Sequence, residues 1–251
     1  MTLRHGLALA WALPLLASAQ TAELPTSIEA GYSRETLSNH TPDWQDAGVD
    51  ITHRFGAREY LGVSLHDVKR FGLEDTSAAA SYMRPLTDKL AVTLDGSLSP
   101  GANFLPRNAV AGTLQYEFAP AWLVYGGLRS ANYADDHVTE GSLKLERYVS
   151  DFSWSVAWKP VHALGSFAQS FEVRGSYYYG ERNMVTLIAA AGREATSVAP
   201  QQVVLADVQS IALIGRHQLS TRWALTWALT HVKQDTFYSR TGARLGVQYA
   251  L

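Results

Sequence analysis

The last eight residues, Arg244-Leu245-Gly246-Val247-Gln248-Tyr249-Ala250-Leu251, alternate between two faces up to the final position. Leu245, Val247, Tyr249 and Leu251 fall on one side, and Arg244, Gly246 and Gln248 on the other. Chain ends ordinarily fray, so an apolar strand face at the very end needs somewhere to be buried. The same period-two pattern recurs along the sequence in stretches of roughly ten residues divided by turn formers. Residues 45–55 set Ala47, Val49, Ile51, His53 and Phe55 against Asp46, Gly48, Asp50, Thr52 and Arg54. Residues 89–98, 108–118, 140–149, 152–159 and 169–179 repeat the alternation. A chain built this way is all-β.

The beginning of the sequence gives a destination. Residues 1–5 carry Arg4 as a short basic region, residues 6–16 are an apolar run, and Ala17-Ser18-Ala19 precedes the polar Gln20. These are the successive parts of a secretory signal peptide, predicted to be cleaved after Ala19. The apolar run falls short of the roughly 20 residues that span a membrane as a helix. Residues 20–251 are then expected to form one domain. The sequence has no cysteine, so no disulfide framework holds it together. A formal net charge of −2 argues against a nucleic-acid surface. A membrane protein without a membrane helix has one other permitted form, the closed β-barrel, in which every backbone polar group pairs internally.

A soluble β-sandwich would also show alternating strands, so the aromatic residues matter. Phe55, Phe118, Trp122, Phe152, Trp223 and Tyr249 stand on apolar faces beside the short links. That placement matches the aromatic girdles at membrane interfaces. Short links are read at 56–57, 84–88, 119–121, 150–151, 180–182 and 219–221, and longer ones at 37–44, 69–75, 99–107, 130–137, 160–168 and 193–206. Short periplasmic turns and longer outer loops, with both termini periplasmic, require an even strand number. The segmentation predicts a transmembrane, antiparallel, up-and-down barrel of about 14 strands. Twelve is the alternative, if the weak segments at 77–82 and 184–191 merge with loops. The C-terminal pattern carried by Arg244, Gly246, Tyr249 and Leu251 resembles the assembly signal of outer-membrane barrels, with Leu251 in place of the usual terminal aromatic.

Three stretches carry a family resemblance: Glu29-Ala30-Gly31-Tyr32-Ser33-Arg34-Glu35, Val49-Asp50-Ile51-Thr52-His53-Arg54-Phe55-Gly56, and Leu245-Gly246-Val247-Gln248-Tyr249. On these the chain resembles the YaiO-type outer-membrane β-barrel family. The resemblance implies a bacterial outer-membrane barrel, often found near machinery for exported polysaccharide. It brings no catalytic residues. The expected surroundings are outer-membrane lipid and lipopolysaccharide, the barrel-assembly machinery during insertion, and an exported polysaccharide as partner. No cofactor and no nucleic acid are expected, and the barrel is expected to be a monomer.

Barrels of this kind can be lipid-modifying enzymes, using a His as base for a Ser or water. Ser64 and His66 share one strand face, with Asp67 next in sequence, and are the candidates for such chemistry. No nucleophile-elbow motif surrounds them, and a structural His66 is the preferred reading. Asp135-Asp136-His137 lacks the spacing of a calcium loop and reads as a solvated loop tip. The polar face is more informative. Asp50, Arg54, Asp95, Glu117, Arg129, Glu140, Lys144, Glu146, Glu172, Arg174, Arg240 and Arg244 are predicted to project into the lumen, together with Tyr60, Tyr125 and Tyr178. Both charge signs are present, which favours paired networks over a constriction of one sign. The expected function is a non-enzymatic narrow pore or export route for small polar or saccharide solutes. The alternatives are a lipid-modifying enzyme and a non-conducting structural barrel.

Overall fold

The computed structural model describes residues 25–199 and 202–251. The expected signal peptide, residues 1–19, lies outside the described residues. Among the described residues fourteen strands run in chain order: β1 (Thr26–Leu37), β2 (Trp44–Gly56), β3 (Glu59–Arg70), β4 (Leu73–Pro85), β5 (Leu90–Leu98), β6 (Asn108–Ala119), β7 (Trp122–Asn132), β8 (His137–Val149), β9 (Phe152–Ala163), β10 (Ser166–Tyr179), β11 (Asn183–Ala199), β12 (Gln202–Gln218), β13 (Trp223–Gln234) and β14 (Tyr238–Ala250). Each pairs antiparallel with its sequence neighbours, and β14 pairs with β1 to close the barrel. The weak segments at 77–82 and 184–191 lie within β4 and β11, so the strand number is fourteen rather than twelve.

Closure places Leu245 opposite Tyr32 and Tyr249 opposite Ile28, and the Leu251 amide donates to the Thr26 carbonyl at 2.8 Å. The terminal strand therefore leaves no open edge. Faces alternate as a barrel wall requires. Along β1, Glu29, Gly31, Ser33, Glu35 and Leu37 point inward, while Ala30, Tyr32, Arg34 and Thr36 point outward. The outer face is apolar along its middle, with Leu65, Leu94, Leu114, Leu128, Val173, Leu187 and Leu229 all exposed. Apolar side chains displayed in this way on the outside of a closed sheet suit a hydrocarbon surround.

An aromatic belt rings the end that carries the termini. Phe118 lies 6.1 Å from Trp122, Trp122 lies 5.6 Å from Trp154, Phe152 stacks on Tyr177 at 4.8 Å, and Trp223 meets Tyr249 at 4.7 Å. Phe55 packs on His53 at 4.7 Å at the same end.

The opposite end differs from the sequence expectation in three places. The sequence predicts a longer link over 69–75, yet β3 and β4 are joined by Phe71 and Gly72 alone, both at positive φ (54° and 76°). Likewise, Leu164 and Gly165 (54° and 68°) join β9 to β10 where 160–168 was expected as a loop. Two residues at positive φ make the hairpin turn that follows strand twist. The third expected loop, 193–206, is a protruding hairpin. β10 pairs with β11 only as far as Gly192, and β13 pairs with β12 only from Val208, while β11 and β12 pair with each other out to Ala199 and Gln202.

Candidate functional site: the lumen and its mouth

Two ion-paired sectors stand on the inward wall. In the first, around the closing seam, Arg244 reaches Glu29 at 3.0 Å and Asp50 at 3.8 Å. The His66 ring bonds Asp46 at 2.7 Å and Asp50 at 3.3 Å. Glycines make this possible. A Cβ at Gly31 would stand 2.5 Å from the Arg244 guanidinium, one at Gly48 would collide with the His66 ring, and one at Gly246 would stand 2.7 Å from Glu29 Oε1. The three glycines lie in one row across β14, β1 and β2. Long polar side chains lie flat along the wall in the space they leave.

The second sector spans β7 to β10. Arg129 pairs with Glu140 at 3.3 Å and Lys144 with Glu146 at 3.1 Å, while Glu172 takes both Lys159 at 2.5 Å and Arg174 at 3.2 Å. Tyr125 donates to Glu146 at 2.7 Å and Tyr148 to the same carboxylate at 3.2 Å, and Lys144 lies 3.6 Å over the Tyr125 ring. Charges removed from bulk water are tolerable when paired and hydrogen-bonded in this way. Between the sectors, Ile188, Ala212, Ile214 and Ala228 form an apolar patch on the β11–β13 wall.

The sequence-predicted positions Asp50, Arg54, Asp95, Glu117, Arg129, Lys144, Glu172, Arg174, Arg240 and Arg244 all stand on the inward face. Asp95 is exposed to the lumen space near Tyr60, and Glu117 accepts the Ala121 amide at the β6–β7 turn at 3.3 Å. Ser64 and His66 also face inward from the middle of β3. Both His66 ring nitrogens are engaged by the two aspartates, and no hydrogen bond joins His66 to Ser64 among the described residues. The pair lines the lumen and does not stand on the lipid-facing wall. The His137 ring bonds Asn132 and Thr139 at 2.8 Å and 3.1 Å.

The loop end of the lumen is filled. The 99–107 segment folds inward on the Asp75 carboxylate, which accepts the amides of Asn103, Phe104 and Leu105 at 2.8, 2.9 and 2.9 Å and the Asn103 side chain at 2.9 Å. This buries Ala102, Phe104 and Leu105 against Val68 and Phe71. Phe71 also packs against Leu37, Trp44 and Tyr238. On the far side, the tip of the β11–β12 hairpin contributes Ala195, Val203 and Leu205 to a cluster with Ala131, Tyr133, Val138 and Val161. Burial there pushes the Tyr133 phenol well above its ordinary range, so it stays neutral.

Arg240 and Arg70 are set into this apolar layer. Arg240 pairs with Glu35 at 2.5 Å, and both guanidinium groups lie over the Trp44 ring, at 4.9 Å and 4.5 Å. Sequence reading missed Asp75, Arg70, Trp44 and Glu35. For Arg70 a signal existed, because it continues the phase of Tyr60, Ser64 and His66. The convergence of Trp44, Arg70 and Arg240 is tertiary and leaves no local pattern.

The family model for the YaiO membrane beta barrel domain matches residues 25–197. The chain belongs to that family. Solved structures share the fold at low identity. The CymD monoaromatic hydrocarbon channel is 10% identical with a TM-score of 0.60, covering 92% of this chain and 89% of its own. Omp33 of Acinetobacter baumannii is 12% identical with a TM-score of 0.58, covering 92% and 100%. A bacterial polysaccharide outer membrane secretin is 8% identical with a TM-score of 0.58, covering 92% and 99%. No curated protein matches the chain. Family and fold together point this YaiO-family barrel to the bacterial outer membrane, with a porin-like architecture.

Proposed function

We propose that this barrel is a narrow, gated channel for small polar or saccharide solutes, with the 99–107 segment as its gate. The observation that carries this reading is the hold of Asp75 on that segment. One carboxylate holds residues 103–105 of the segment through four hydrogen bonds. Below the gate the wall is lined by charged and hydroxyl side chains, which suit a hydrated solute better than an apolar one. Structures with this fold include a hydrocarbon channel and a polysaccharide secretin, so the solute class is argued from the lumen of this chain and not from the fold. The protein is proposed to act as a monomer in outer-membrane lipid, with its termini on the periplasmic side.

Planar-bilayer recording of refolded protein tests the reading. The native barrel is expected to show small, infrequent openings, and Asp75→Ala to show more frequent and larger ones. Silence from both proteins would replace the channel with a structural barrel, braced by its internal ion pairs.

A further inference from the structure

Beneath the gate, the group around Trp44 has hydrogen-bond donors to spare. Trp44 is 2% exposed and Arg240 3% exposed. Glu35 takes Nη1 of Arg240 at 2.5 Å, and its other oxygen takes the Thr230 hydroxyl at 3.3 Å. Arg240 Nε and Trp44 Nε1 are buried with no hydrogen-bond partner among the described residues. Leaving one such donor unpaired out of water is costly, and here there are two in one group. Arg70 adds a second positive charge on the same indole and is flanked by Phe104 of the gate at 5.5 Å. Arg240 and Glu35 both act electrostatically on Arg70.

Both orphaned groups are donors, so their complement is an acceptor. Two guanidinium groups on one ring favour an acceptor that carries negative charge over a neutral one. We propose that Trp44, Arg240 and Arg70 form a binding site for the oxyanion group of an anionic solute, a carboxylate or a phosphate. Arg240 Nε and Trp44 Nε1 receive its oxygens, and Arg70 supplies further positive potential. The site lies under Phe104, so a solute reaches it when the 99–107 segment swings away. This rests on the channel reading for delivery of the solute and deepens it by naming the solute's charge.

The test is a titration of the full refolded chain in detergent, read by Trp44 fluorescence as the difference between native protein and Trp44→Phe. It is run on the native barrel and on Asp75→Ala, whose gate is loosened. The probes are glucuronate, inorganic phosphate and neutral glucose. An anion-dependent signal is expected for glucuronate, for phosphate or for both, and the tighter of the two identifies the source. Glucose is expected to give none. Arg240→Gln should weaken anion binding by about tenfold or more, the scale of one charge-assisted hydrogen bond. Arg240→Lys should retain part of the binding, because it keeps the charge and loses Nε. Heat-modifiable gel mobility checks that each variant is folded.

Equal response to glucose and glucuronate would overturn the site. So would unchanged affinity in folded Arg240→Gln, or no signal even in Asp75→Ala. Bilayer current without anion binding would leave the channel standing and remove the site. Anion binding in a barrel that passes no current would do the reverse.

Discussion

Glu29 of the first strand and Arg244 of the last meet across the closing seam, Oε1 to Nη2, at 3.0 Å. Gly31 leaves the room the Arg244 guanidinium occupies, and Thr226 donates to the same Glu29 oxygen at 2.9 Å. An ion pair that bridges the two ends of the sequence ties barrel closure to lumen chemistry.

Arg244→Ala should therefore destabilise the barrel by about 1–3 kcal/mol, because it strands a largely buried carboxylate on the seam. The double change of Glu29→Gln with Arg244→Gln should recover part of the loss, since it leaves no unpaired charge. Urea unfolding in detergent or vesicles gives both numbers. Equal destabilisation by the single and double variants would contradict the pairing.

Much of this barrel is readable from period-two alternation. Asp50, Arg54 and Arg244 alternate with Ile51, Phe55 and Leu245, and a closed sheet needs that alternation on every strand. The mouth is less legible for a physical reason. Lys69, Arg70, Glu74 and Asp75 give residues 69–75 the composition of a solvated loop, yet Arg70 and Asp75 are strand residues buried in the lumen end. Their polarity is satisfied by partners distant in sequence, and those partners leave no trace near them. The turn itself was marked by Gly72 at positive φ, a two-residue signal easily lost inside a charged stretch. Residues 193–206 misread in another way, since a hairpin that leaves the barrel wall buries successive residues such as Ala195 and Thr196 and breaks the alternation.

Gly48→Ala should displace the His66 imidazole from its aspartates, because the new methyl group would occupy the ring's position. The expected cost is about 1–3 kcal/mol, as for overpacking elsewhere. Gly96→Ala is the control, since nothing stands within 4 Å of its added Cβ. Parallel urea titrations should show a lower midpoint for Gly48→Ala alone.

Loosening the gate should be visible to a protease. Asp75→Ala removes the acceptor for three amides of the 99–107 segment, and trypsin cleavage after Arg107 should accelerate at least about tenfold in the folded barrel. Mass spectrometry of the fragments locates the cut. Native-like resistance at Arg107 would mean that the apolar contacts of Phe104 and Leu105 suffice to hold the segment.

Tyr249 contributes to the belt at the terminal end through its ring, 4.7 Å from Trp223, and through its hydroxyl, which accepts from Arg222 at 3.2 Å. Tyr249→Ala should cost about 0.5–1.5 kcal/mol from the lost ring pair. Tyr249→Phe should keep most of it. Folding yield into lipid vesicles, followed by heat-modifiable mobility, should rank native, Phe and Ala in that order.

His66 decides between a lumen wall and lipid chemistry. A general base acting on an outer-leaflet lipid must present a ring nitrogen toward its nucleophile within about 2.6–3.2 Å. Here one nitrogen bonds Asp46 at 2.7 Å and the other bonds Asp50 at 3.3 Å, inside the barrel. His66→Ala should accordingly leave the mass profile of lipid A and phospholipids unchanged in cells that express the barrel. The same change should lower the urea midpoint, by about 1–3 kcal/mol, because it removes the group shared by two partly buried aspartates. A lipid species present with the native chain and missing with His66→Ala would restore the enzymatic reading.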